Sequence, residues 1–200
     1  MNVEASAARY ERERDCPNGC VVTALGQFID LLAQPSLSLS ERRRCLYWVA
    51  HFMGDIHQPL HIAHPDNKGG TATLLWFFDA KDKRSAHWIW DVGLMERRPP
   101  PTPALAESIK TDQPAYRAMA DELAAELTPA KLRAFQHTTT PEALANEGLN
   151  LARRSAYLKA SDRVDDAYET SRWPLVKQQL QKAGARLAAV LELVRAAAEG

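Results

Sequence analysis

Apolar positions recur with helical period along most of this 200-residue chain. Val21, Ala24, Leu25, Phe28, Ile29 and Leu32 fall at alternating three- and four-residue spacing, which predicts a helix beginning just after the turn-rich stretch DCPNGC. Cys45, Leu46, Val49, Phe52, Met53 and Ile56 form a second stripe. Ser40 is its expected N-cap with Glu41 in the first turn, and Pro59 is expected to end or kink it. Thr128-Pro129 and Thr140-Pro141 each read as an N-cap followed by a proline at the first helical position. Val176, Leu180, Ala183, Leu187, Val190, Leu191 and Val194 stripe a long last helix. Thr71–Phe78 breaks the pattern, being short, aromatic and partly β-branched. It is expected to be a strand or hairpin arm between the loops HPDNKGG and DAKDKRS. AHWIWDVGLM then reads as a short helix stopped by Pro99–Pro101, and RRPPPTP at 97–103 as a stiff connector rather than a domain linker. The expectation is a mostly α fold in a single domain over residues 1–200, with one short strand or hairpin.

Composition narrows the partners. Lys plus Arg and Asp plus Glu both number 25, so the formal charge is zero. A general electrostatic grip on nucleic-acid phosphates needs a surplus of cations that this chain lacks. No apolar run approaches the roughly 20 residues of a membrane helix. The opening MNVEASAARYERERD has no apolar core, so it does not read as a signal peptide. Three cysteines are too few for a disulfide scaffold.

Histidine carries the chemical signal. Five of the six histidines fall between residues 51 and 87. Two head the pattern H-x-x-x-D, His51 with Asp55 and His87 with Asp91, and on a helix such pairs project from one face, one turn apart. His61 follows Pro59, where the chain can turn back toward His51. At about 100° per residue, His51 and Asp55 sit off the apolar stripe, so they are not simply core residues. Three imidazoles and two carboxylates form a nitrogen/oxygen ligand set that suits zinc better than Cu(I), Ca or Mg. One such pair alone is ordinarily a surface ion pair. From spacing, that reading and a metal site both stand. His57, His64 and His137 read as packed or solvated.

The motif HFMGDIHQPLH (51–61), a loop with Gly69-Gly70, and HWIWD (87–91) together resemble the S1/P1 nuclease family, which is related to zinc-dependent phospholipase C. RDCPNGCVVTAL (14–25) is similar to that family's cysteine loop, and PEALANEGLNLARRSAY (141–157) and DAYETSRWPLVKQQLQKAGARLAAVL (166–191) to its later helices. The resemblance implies a helical enzyme, secreted or periplasmic, that holds three zinc ions in a cleft. Its substrates would be single-stranded DNA and RNA and 3′-nucleotides, and it would act as a monomer. By motif position, His51 and Asp55 would bind the first zinc, with Asp55 bridging to a third. His61, His87 and Asp91 would bind the second. The reacting species would be a water activated by the ions. Cys16 and Cys20 are expected to form a local disulfide in an exported protein, and Cys45, on an apolar stripe, to be a buried free thiol.

The chain also departs from the family pattern. Thr71 stands where the family has Asn after its Gly-Gly, Ser85 where it has Asn, and Gly148 where it has Ser. The family's amino-terminal ligands (the terminal residue, two His and an Asp) precede the cysteine loop and are not matched in residues 1–15. The expectation is therefore that Met1 marks an internal or truncated start, that the second zinc site is the whole one, and that the chain is severely impaired as a nuclease. Two other readings accompany it: an inactive fragment that binds zinc, and a phospholipase-like hydrolase with an apolar mouth. Trp76, Phe77 and Phe78 read as strand packing in preference to base stacking.

Overall fold

The computed structural model describes residues 1, 3–4, 6–62, 65–97, 114–159 and 162–199. After a single helical turn, α1 (Arg12–Asp15), Cys16 and Cys20 are joined by a disulfide with Cα atoms 5.5 Å apart. Helix α2 (Val21–Leu32) starts at once, its first turn tied down by Thr23, whose Oγ1 accepts from Cys20 N and donates to Cys20 O, both at 3.0 Å. Helix α3 (Leu39–His57) begins ahead of the expected cap at Ser40. Ser38 takes that role because it and Glu41 satisfy each other. Ser38 Oγ accepts from Glu41 N at 3.3 Å, while Glu41 Oε2 accepts from Ser38 N at 2.9 Å. Pro59 ends α3 as expected, since the residue before a proline is driven to extended backbone, and Gln58 has φ −81° and ψ 113°. Leu25, Leu32, Val49, Met53 and Ile56 close between α2 and α3, and Cys45 is a buried free thiol there.

The strand expected near residues 71–78 is β1 (Leu74–Phe77), paired antiparallel with β2 (Arg84–Ser85). A further strand, β3 (Arg163–Val164), pairs parallel with its other edge, Trp76 opposite Arg163. Two residues are too short for any alternation to be visible in sequence. Straight after β2 the chain coils into α4 (Ala86–Trp88), a wider π-type turn (Ile89–Gly93) and α5 (Leu94–Glu96), where one regular helix was expected. A second core of Leu60, Leu75, Ile89, Trp90, Leu94 and Val164 lies between this stretch and the sheet. Pro99–Pro101, read as the helix stop, lie outside the described residues, as does most of the 97–103 connector.

Helices α6 (Pro114–Ala125), α7 (Pro129–Gln136) and α8 (Pro141–Leu151) follow, then a second π-type turn (Ala152–Ala156) and the 34-residue α9 (Asp166–Glu199). Thr128 caps α7 by accepting from Lys131 N at 3.2 Å, whereas Thr140 makes no such bond at the start of α8. The architecture is mostly α with one small sheet. Among the described residues, no helix is long and apolar enough to cross a membrane.

One polar network ties α9 to the rest. His57 and Arg186 are each 4% exposed. The His57 Nδ1 lies 2.7 Å from Met53 O, which makes Nδ1 the protonated nitrogen and leaves Nε2 to accept from Arg186 at 2.8 Å. Burial lowers the His57 pKa to about 4, so the ring is neutral near pH 7. Arg186 also donates to Phe135 O at 3.1 Å and pairs with Glu147, which in turn pairs with Lys182. Gln179 Nε2 donates to His57 O at 3.0 Å. Helices α3, α7, α8 and α9 thus meet at one guanidinium. Arg186→Ala is expected to lower stability by about 3 kcal/mol in urea unfolding, because it strands His57 Nε2 and Phe135 O in a buried place. Arg186→Lys should recover only part of this, since an ammonium cannot span all three acceptors. A loss below about 1 kcal/mol for the alanine variant would show that the network does not hold these helices.

Candidate metal centre

Helix α3 brings its last exposed turns to the site. His51 and Asp55 stack one turn apart, with His51 Nε2 3.3 Å from Asp55 Oδ2. The short turn Pro59–His61 then reverses the chain, and His61 Nδ1 comes to 3.5 Å from Asp55 Oδ1. On its other side, His61 Nε2 is 3.3 Å from Asp91 Oδ1. His87 Nε2 closes the line at 3.1 Å from Asp91 Oδ2. The five residues singled out in the sequence therefore form one row in which imidazoles and carboxylates alternate: His51, Asp55, His61, Asp91, His87. The His61 and His87 rings stack with centroids 4.9 Å apart.

The backbone around the row explains its order. Ser85 caps the helical stretch bearing His87, its Oγ accepting from Trp88 N at 3.1 Å. Asp91 sits in the π-type turn, and such local widenings are frequent at functional sites. Gly93, at the end of that turn, has no room for a side chain, since a Cβ would come within 2.8 Å of the Trp88 ring. Two partners were not identified from sequence. Gln58 Nε2 donates to Asp91 Oδ1 at 2.7 Å, while its Oε1 accepts from Leu60 N. Gly69 O lies 2.8 Å from His87 Nδ1, which makes that nitrogen a donor and turns Nε2 toward Asp91. The glutamine was in plain view inside HQPLH, but nothing in the spacing says which carboxylate it reaches.

Electrostatics follow the contacts. Burial alone would raise the Asp91 pKa, yet hydrogen bonds from His61, His87 and Gln58 overcome it and hold the carboxyl well below the usual range. The bond to Asp91 raises the His87 pKa against a smaller desolvation effect. Among the described residues, one set of three side chains can offer ligand atoms to a common point: His61, His87 and Asp91, whose candidate atoms lie within 4.8 Å of one another. Two imidazole nitrogens and one carboxylate oxygen are a donor set that metal ions of the zinc type accept. His51 and Asp55 adjoin that set without belonging to it. His57, 4% exposed, turns away into the core, His137 lies past the end of α7, and His64 falls outside the described residues. A largely apolar cavity of about 210 Å³ opens beside the group, walled in part by Trp90, Met95, Val176 and Leu180 together with His61 and Asp91.

Comparison with known proteins gives one consistent result. The family model described as S1/P1 Nuclease matches residues 1–196. Endonuclease 2 of Arabidopsis thaliana is 32% identical over 94% of this chain and 68% of its own length. Endonuclease 1 of the same plant is 29% identical over 94% of the chain and 65% of its own length. Nuclease S1 of Aspergillus oryzae is 28% identical over 91% of the chain and 65% of its own length. The chain thus spans about two thirds of the length of these relatives.

Two outcomes follow from the geometry. Gln58→Ala removes the amide that orients Asp91, and such supporting partners are worth about 10- to 100-fold in metal affinity. A competitive chelator titration should find a loss in that range, and unchanged affinity would mean that Asp91 needs no such support. The raised His87 pKa sets the sign of the pH effect. A metal can take Nε2 only when the ring is neutral, so binding below that pKa must release a proton. Divalent-metal affinity should therefore climb with pH by about tenfold per unit through the acid side of neutrality and flatten above the raised pKa. A profile flat from pH 5 upward would contradict it.

Proposed function

The chain belongs to the S1/P1 nuclease family, and from that membership we propose that its site serves zinc-dependent hydrolysis of phosphodiesters in single-stranded DNA and RNA, and of 3′-nucleotides. The observation that carries the reading is the convergence of His61, His87 and Asp91 on one point beside the His51–Asp55 pair. His61, His87 and Asp91 would hold one zinc. His51 and Asp55 would supply part of the shell of another, with Asp55 near enough to His61 to stand between two ions. When bound, zinc activates water and neutralises charge on the phosphoryl oxygens. The chain's own residues have the task of keeping the donors in place. Gln58 and the Gly69 carbonyl do so for Asp91 and His87. The zero net charge fits this reading, because the local positive field would come from the ions and not from a basic surface.

The apolar walls of the neighbouring cavity favour a second reading, a lipid phosphodiester with its acyl chains against Trp90, Met95 and Leu180. The two readings part in one assay. Zinc-loaded protein is expected to cleave single-stranded DNA and to leave phosphatidylcholine vesicles intact. EDTA should abolish the cleavage. Asp91→Asn should reduce both the zinc retained after dialysis and the rate, the rate by at least about 100-fold. Cleavage that persists in EDTA, or an unimpaired Asp91→Asn variant, would refute the proposal. Hydrolysis of the lipid alone would install the second reading instead.

A further inference from the structure

The loop ahead of β1 holds a lysine in an unusual backbone position. Lys68 has φ 48° and ψ 47°, Gly69 has φ 65° and ψ 28°, and Gly70 has φ 80°. Three successive residues are left-handed, a region that glycine enters freely and other residues enter against steric resistance. Two of the three positions carry glycine. The remaining one carries a long cation, where a glycine would meet no resistance. Strain of this kind persists where the surroundings impose it, and it gathers at binding and catalytic sites.

The surroundings do impose it. Lys68 O accepts from Thr71 N at 3.3 Å and from Thr71 Oγ1 at 2.9 Å. Gly69 O is bonded to His87 Nδ1, and a Cβ on Gly70 would be 3.1 Å from both Ala86 Cβ and His87 N. The loop is therefore clamped directly against the helical stretch that bears His87. Lys68 is exposed, and it shares the wall of a cavity of about 250 Å³ with Asp55, His61, Gly69 and His87. Among the described residues its ammonium has no ion-pair partner.

We propose that Lys68 is a substrate-binding residue, a cation held at the mouth of the metal group to take a non-bridging oxygen of the substrate's phosphate. The proposal rests on the phosphodiesterase reading above. It adds a contact that the metal-ligand pattern does not contain. An ammonium is a mobile point charge with three donors, suited to a tetrahedral oxyanion whose orientation changes during reaction. The rigid backbone fixes where the stem leaves the loop, and the flexible stem supplies the reach.

The test compares Lys68→Met, which keeps the stem and removes the charge, with Lys68→Arg, which keeps a charge. Inorganic phosphate is the probe, titrated calorimetrically into zinc-loaded protein, with zinc content and melting temperature measured alongside. The expected result is about tenfold weaker phosphate binding for Lys68→Met and affinity within about threefold of wild type for Lys68→Arg, with zinc content and melting temperature unchanged in both. In parallel, single-stranded DNA should show a raised KM with Lys68→Met. The salt dependence of its binding should flatten by about 0.7 in log–log slope, the value of one phosphate contact on a single strand. Equal phosphate affinity in Lys68→Met and wild type would overturn the proposal, as would wild-type protein that takes no phosphate. If phosphate binding falls as expected but single-stranded DNA is never cleaved, the anion contact stands and the nuclease reading fails. A lowered zinc content or melting temperature in Lys68→Met would instead assign the lysine to the framework and overturn its role toward substrate.

Discussion

His61 stands between two carboxylates, 3.5 Å from Asp55 and 3.3 Å from Asp91. Without that imidazole, the two carboxylates would have no donor between them in a partly buried place. The row alternates base and acid, and ionised carboxylates with neutral imidazoles are the forms that bind metal. The position of His61 is in turn a backbone matter. Helix α3 must stop at His57, Gln58 must be extended, and Pro59 must start the tight turn that reverses the chain. One proline thereby decides where two separate H-x-x-x-D pairs meet.

The same helix end is anchored on its other face. Asp55 looks toward solvent and the site, whereas His57, two residues on, looks into the core and meets Arg186. A neutral, buried histidine is a demanding choice where an apolar side chain would pack without needing partners. It is stabilised by a closed set of bonds, Met53 O on one ring nitrogen and Arg186 on the other, with Gln179 on its carbonyl. These bonds fix the last turn of α3 against α9, and so limit the freedom of the turn that carries His61. Packing energy from a distant helix is in this way converted into precision at the site.

Most of this was readable in the chain because the signals were periodic or punctuating. The apolar stripes located α2, α3 and α9, Pro59 marked the end of α3, and the paired H-x-x-x-D spacing singled out all five members of the row. The unreadable parts depend on long-range contacts. Strand β3 has only two residues and owes its existence to the edge of β1. The π-type turn at Ile89–Gly93 is one residue wider than a regular turn, a difference below the resolution of any periodicity argument. Ser38 displaced Ser40 as the cap because the choice between nearby serines rests on a reciprocal bond with Glu41. The partners of Asp91 and His87, Gln58 and the Gly69 carbonyl, are 33 and 18 residues away in sequence.

The departures from the family pattern take on a different meaning once placed. Ser85, where the family has Asn, caps the helical stretch that bears His87, and serine and asparagine are equally good at that task. Thr71 holds the Lys68 carbonyl from the outside of the loop. Gly148 matters most for the geometry of the row. It lies under the site, not at its mouth, and a Cβ there would come within 3.0 Å of Ile62 Cγ1 and 3.4 Å of the Ile56 carbonyl. Ile56 and Ile62 bracket the turn that carries His61. With no side chain on α8 at this point, Ile62 packs directly against the helix backbone. The departure at 148 therefore acts on the packing around the turn that carries His61 and adds or removes no member of the ligand set.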